Sequence, residues 1–216
     1  MTANLLLIAL FVFCMILMSL NLSKRKKKII FFGDNVNELD MRPGGYISWF
    51  IDAMKEVGEE DGYQILQSVK TGESIHELFQ RLDETVLLKD VHTVIIHAGV
   101  QDVLDKYEKS TGTDLETFKH LYNTIIQKLI NRNIRVLVCL PSPLLKASFS
   151  QEMISELELY REEIRLICVA FNLPFVDLER IRSATMNEIS GESNRAEYNV
   201  NRAIGITLWK IFKELT

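Results

Sequence analysis

From Ile29 onward, short β-branched or aromatic runs alternate with longer segments of helical spacing, and few folds accept that alternation. The runs are Ile29–Phe32, Gln64–Val69, Thr93–His97, Arg135–Leu140 and Pro174–Leu178, bounded by Gly, Pro, Asn or Asp. Between and after them lie Tyr46–Val57, Ser74–Leu88, Leu115–Asn131, Gln151–Phe171 and Asn201–Leu215. In Leu115–Asn131, the residues Phe118, Leu121, Tyr122, Ile125, Ile126 and Leu129 form one face at helical steps. Strands joined by helices of this length become parallel through right-handed crossovers, which cover both faces of the sheet. The pattern predicts an α/β chain: an open three-layer α/β/α sandwich around a mostly parallel five-stranded sheet. A length of 216 residues suits one such domain plus an accessory segment. No internal repeat interrupts it, and the polar stretch Asn187–Arg195 is the expected hinge.

The accessory segment is residues 1–28, with the domain at 29–216. Leu5–Leu22 carries no charge and is apolar except for Ser19 and Asn21. At about 1.5 Å per residue, a helix of that length approaches the thickness of a bilayer's hydrocarbon core. A cleaved secretory signal usually has its positive charge in front and small residues at the cleavage site. Here the charge follows, as Lys24-Arg25-Lys26-Lys27-Lys28, and no Ala-x-Ala pattern appears. The segment predicts an uncleaved, single-pass membrane anchor through residues 5–22. The basic run places the domain on the cytoplasmic side, and it could also touch anionic headgroups. Cys139 and Cys168 lie in apolar runs as small hydrophobes, and three cysteines make no disulfide framework. The net charge is -4, but beyond residue 28 there are 20 basic against 29 acidic residues. A body that acidic repels phosphates, which argues against nucleic acid as a partner.

Open parallel sheets bind ligands outside the carboxyl ends of their strands. Those ends read Gly33-Asp34-Asn35, Lys70-Thr71-Gly72-Glu73-Ser74, His97-Ala98-Gly99-Val100-Gln101-Asp102 and Leu140-Pro141-Ser142-Pro143. None has the glycine spacing of a dinucleotide site or a Gly-Lys-Ser/Thr loop, so no nucleotide cofactor is expected. No His, Cys or carboxylate pair has metal-ligand spacing either. Of four histidines, His76 and His120 fall in helical patterns as solvated side chains, and His92 opens the third strand. His97 reaches the carboxyl end, where a structural role is favoured over a ligand contact. Ser74 and Ser142 lack a paired base in sequence and read as cap or turn residues.

These strand ends resemble the GDSL/SGNH hydrolases. Ile30-Phe31-Phe32-Gly33-Asp34-Asn35-Val36-Asn37-Glu38-Leu39 is similar to the family's first block, Gly72 to its second-block glycine, and Gly99-Val100-Gln101-Asp102 to its Gly-x-Asn-Asp block. Pro43-Gly44-Gly45-Tyr46, Arg81-Leu82-Asp83-Glu84, Thr111-Gly112-Thr113-Asp114 and Leu173-Pro174-Phe175-Val176-Asp177-Leu178 look like bacterial esterase members. The likeness spans roughly residues 28–212 and implies a flavodoxin-like fold. It also implies departures. The family's nucleophilic Ser falls at Asn35, and its oxyanion Asn at Gln101. The ungapped match to its Asp-x-x-His block is Ala196-Glu197-Tyr198-Asn199, with Ala196 for the carboxylate and Asn199 for the general base. A carboxamide is neither an acyl-accepting nucleophile nor a base near neutrality.

Together with the apolar segment 5–22, the resemblance implies a membrane-anchored relative without the catalytic Ser, Asp and His. Its crevice, lined by Asp34, Asn35, Gly72 and Gln101, would take a small polar or acyl ligand, or the domain would be a scaffold subunit for protein partners in a membrane complex. Asn35 is equally readable as a helix cap. The alternative is an active ester hydrolase with a rearranged site.

Overall fold

The computed structural model describes residues 11–13, 25–34, 41–70, 72–143, 149–188 and 193–215. Strands β1 (Lys27–Gly33), β2 (Tyr63–Val69), β3 (Thr93–His97), β4 (Arg135–Leu140) and β5 (Phe175–Asp177) form one sheet in the order β2-β1-β3-β4-β5. Every neighbouring pair is parallel. The helices are α1 (Tyr46–Glu56), α2 (Ile75–Leu82), α3 (Val100–Glu108), α4 (Leu115–Asn131), α5 (Gln151–Ala170), α6 (Leu178–Glu188) and α7 (Ser193–Glu214).

Alternation along the strands builds the two halves of the core. Ile30, Phe32, Val94, Ile96, Val136 and Val138 pack with α2, α3, α4 and α5. Their neighbours Ile29, Phe31, Ile95, Leu137 and Cys139 face α1, α6 and α7. Both faces are covered, so the inner strands read as continuous apolar runs. The expected three-layer sandwich and parallel sheet are present.

Two helices were hidden in the sequence. α3 is short and charged, and α6 follows β5 without a linker. The expected single helix Ser74–Leu88 is instead α2 and a π-helical turn over Asp83–Leu87. α7 begins ahead of the expected Asn201, so helix occupies much of the expected hinge; residues 189–192 of that stretch lie outside the described residues. The expected anchor, residues 5–22, also lies outside them except for Phe11–Phe13, which are helical and exposed. Among the described residues, no helix is long and apolar enough to cross a membrane.

Candidate functional site

Strand register sets the floor of the crevice. Gly33 is level with both Val69 and His97, so β1, β2 and β3 end together. Asp34 follows at once. Its Oδ2 accepts from the backbone N–H of Gly99 at 2.9 Å and of Gln101 at 3.1 Å. A carboxylate on these first N–H groups of α3 satisfies donors that the helix cannot. Asp34 is 1% exposed, so it joins β1 to α3 beneath the crevice surface. Gly99 makes the turn at φ +117°, and a Cβ there would lie 3.2 Å from the Phe118 ring and 3.4 Å from Pro141. Only glycine satisfies both the angle and the space.

Gln101 is partly exposed, but its side-chain amide donates to Asp105 Oδ1 at 2.6 Å. It lies along α3, where Lys109 also reaches Asp105 at 2.8 Å. Gly72, after β2, has φ +82° and open space where a Cβ would stand. Arg81 braces that turn through Glu73 at 2.7 Å and the Ser68 carbonyl at 2.9 Å, with its guanidinium 4.6 Å over the Phe32 ring. Asn35 lies outside the described residues.

Ala196 is buried and Asn199 partly exposed in the first turns of α7. That part of α7 is fastened to the start of α1, where Asn201 Nδ2 donates to the Gly44 carbonyl at 3.0 Å. Tyr198 packs edge-on to Trp49 at 5.2 Å. The structure thus joins Asp34, Gly99 and Gln101 in one hydrogen-bonded group, sets Gly72 at the adjacent strand end, and holds Ala196 and Asn199 against α1. A groove of about 400 Å³ runs along α1, lined by residues including Pro43, Ser48, Trp49, Asp52 and Tyr198.

Sequence reading gave Asp102 no role of its own. It is fully buried, and both carboxyl oxygens accept from the Ile75 N–H, at 3.1 and 3.2 Å, at the start of α2. Burial, and less strongly the charges of Asp34 and Glu77, outweigh its bonds from Thr113 and Ile75 and push its pKa up to about 7. A folded-state value above the unfolded one stabilises the fold fully below about pH 4 and is lost as pH rises through 7. Asp102→Asn mimics the protonated form. Its stability relative to wild type should therefore rise by a few kcal/mol between pH 4 and 8, measured as urea midpoints. A constant difference across that range would show that Asp102 does not titrate there.

Four further candidates, Ser74, His97, Cys139 and Cys168, are occupied or enclosed. Ser74 forms a capping box with Glu77 at the start of α2. His97 is fully buried, and burial followed by the Arg161 charge holds its pKa near 4, so it stays neutral. Burial pushes the Cys139 and Cys168 thiols up, away from the reactive thiolate. Ser142 differs from its sequence reading, because the fold supplies the partner that the sequence did not show. Its buried Oγ donates to Glu179 Oε2 at 2.8 Å. Burial pushes Glu179 up, but bonds from Arg182 and Ser142 and the Arg182 charge outweigh it, and its pKa lies below the ordinary value. Glu179 belongs to α6, so a helix signal after Asp177, which caps Arg180 N at 3.0 Å, could have revealed it. Among the described residues no group of three or more His, Cys, Asp or Glu could hold a metal ion.

No family model and no curated protein matches the sequence. Solved structures do. An acetyl xylan esterase superposes with a TM-score of 0.73 at 30% identity, over 85% of this chain and 98% of its own. The acetylxylan esterase of Geobacillus stearothermophilus gives 0.68 at 18%, over 83% and 94%. Its variants with Ala for a Ser, an Asp or a His are described as catalytic mutants. A GDSL-like lipase from Parabacteroides merdae gives 0.71 at 16%, over 86% and 97%. With 30% identity across nearly all of an esterase, and glycine turns ending the strands in the expected order, the chain belongs to the GDSL/SGNH hydrolase family.

Proposed function

We propose that this chain is a membrane-anchored, non-catalytic member of the family, serving as a binding or scaffold subunit of a membrane complex. One observation carries the proposal: the chain has Asn35, Ala196 and Asn199 where the family motifs have Ser, Asp and His. The Geobacillus esterase supports that assignment, since the Asp and His of its catalytic mutants are three positions apart, as Ala196 and Asn199 are here. Three groups that act as one unit leave no partial mechanism when all are replaced. The site environment agrees, because the nearby His97, Ser74 and Cys139 are buried, capping or protonated. The strand ends above the Asp34-Gln101 group would then take a small polar or acyl-bearing ligand. The uncharged Leu5–Leu22 and the basic residues behind it carry the anchor and its cytoplasmic orientation.

A second reading, a rearranged ester hydrolase, is favoured by the esterase relatives and by Ser142 beside Glu179. Two facts weaken it. Ser142 is fully buried, and a carboxylate stabilised by Arg182 is a poor proton acceptor. Hydrolysis of a short-chain aryl ester by the purified chain separates the readings. Background rates are expected; turnover lost in Ser142→Ala would establish the second reading.

A further inference from the structure

The edge of the sheet opposite the crevice carries charge and apolar surface that the proposed function does not use. Backbone bonds align this edge: Lys27 N donates to the Gly62 carbonyl at 2.9 Å, His92 N to that of Lys28 at 2.9 Å, and Arg135 N to that of His92 at 3.1 Å. Lys27, Lys28, His92 and Arg135 therefore stand side by side across β1, β3 and β4. Lys89 joins them, its carbonyl accepting from Lys28 Nζ at 2.6 Å, and Arg132 caps the nearby end of α4. Burial first, then the charges of Arg135 and Lys27, holds the His92 pKa below its ordinary value.

The acids at this edge are largely spoken for. Asp90 pairs with Arg25 at 3.4 Å, Asp61 with Lys26 at 3.6 Å, and Glu59 with Lys213. Glu60 adds one further carboxylate. By contrast Lys27, Lys89, Arg132 and Arg135 are exposed and in no ion pair among the described residues.

Exposed apolar side chains also stand at this edge. Beyond Phe11–Phe13, the most exposed large ones are Leu88 at 74%, Val169 at 73% and Val57 at 58%. Val57 caps α1 before β2, Leu88 caps the π-helical turn before β3, and Val169 lies in the last turn of α5 before β5. Cations around protruding apolar side chains suit the headgroup boundary of a bilayer. Finally, β1 starts at Lys27, directly behind the basic run and the proposed anchor.

We infer that the amino edge of the sheet is a docking face for an anionic lipid bilayer. Lys27, Lys89, Arg132 and Arg135 meet the headgroups, and Val57, Leu88 and Val169 enter the interface. A chain of net charge -4 is repelled as a whole, so the attraction is local to this edge. The seven residues of β1, at about 3.3 Å each, then hold the crevice roughly 20 Å above the membrane, facing the aqueous phase. A soluble ligand or partner reaches it there. The inference rests on the proposed anchor only for continuity with the membrane.

The test places the full-length chain in nanodiscs of phosphatidylcholine with or without phosphatidylserine and acetylates it with a water-soluble reagent. Mass spectrometry compares Lys89 with Lys119, which lies near the opposite end of the molecule in α4. Lys89 should be protected severalfold by phosphatidylserine and exposed again in Arg132→Gln/Arg135→Gln, with Lys119 unchanged. Equal labelling of Lys89 in both discs would overturn the docking face. Failure to enter discs would overturn the anchor instead. In that case flotation with phosphatidylserine vesicles decides the docking face. Each neutralised cation should weaken binding about fivefold, so the double variant should lose about 25-fold. Flotation that is absent, or indifferent to the double variant, would overturn it.

Discussion

Asn35→Ser alone is expected to leave the protein as silent toward a short-chain aryl ester as the wild type. Asn35→Ser combined with Ala196→Asp and Asn199→His is expected to turn over. A serine hydroxyl needs a positioned base to become a nucleophile, and Asn199 offers none. Residues 196 and 199 lie one turn apart on the same side of α7, so an Asp and a His there can meet. Ala196 is only 6% exposed, which shields the new carboxylate from water and strengthens its hold on the imidazole. General-base assistance is worth about 10² to 10⁴ in rate, enough to rise above background even in a loose site. Gln101→Asn is the natural fourth change. The shorter amide cannot keep the bond to Asp105 and is freed toward the oxyanion position, where a donor contributes about 3 kcal/mol. Equal activity in the single and triple variants would show that Ala196 and Asn199 do not occupy the base and carboxylate positions.

Arg161→Ala is expected to be the most destabilising single truncation at the carboxyl edge, by about 3 kcal/mol. Arg161 is 5% exposed, donates to both Asp177 oxygens at 2.9 Å and to the Pro141 carbonyl at 2.6 Å, and so ties the ends of β4 and β5 to α5. Its loss strands a half-buried carboxylate and a carbonyl, with Arg165 at 3.4 Å as partial compensation. Burial pushes Asp177 up, but the bonds and charge of Arg161 hold it below the ordinary carboxylate value. That stabilisation is present above the unfolded pKa and lost as pH falls. The penalty of Arg161→Ala should therefore shrink toward acid pH, and adding Asp177→Asn should recover part of it at neutrality. Urea midpoints at unchanged slope test both; a midpoint equal to wild type at neutral pH would contradict them.

The sheet was legible because it is parallel and covered on both faces, so its strands are unbroken apolar runs such as Val94-Ile95-Ile96 between turn residues. The long helices were legible from their stripes, and α4 has the expected bounds. α3 and α6 were not, because polar contacts hold them as much as apolar ones. α3 starts on Asp34, and α6 is organised by Asp177, Glu179 and Arg182. At the site, sequence gave the strand ends and the residue types. It could not show that Gln101 turns along α3, that Asp102 caps a helix 27 residues before it, or that Ser142 finds a carboxylate 37 residues on. Each is a long-range pairing that only the crossovers create.

The proposed function requires that no serine in this chain be activated, and a serine-directed fluorophosphonate tests that requirement without reference to any substrate. The full-length protein and its Asn35→Ser/Ala196→Asp/Asn199→His variant would be incubated with the reagent and weighed intact, then digested to locate any adduct. The wild type should remain unmodified, and the variant should gain one adduct at position 35. A stoichiometric adduct on the wild-type chain, at Ser142 or any other serine, would contradict the claim and make this protein a working hydrolase.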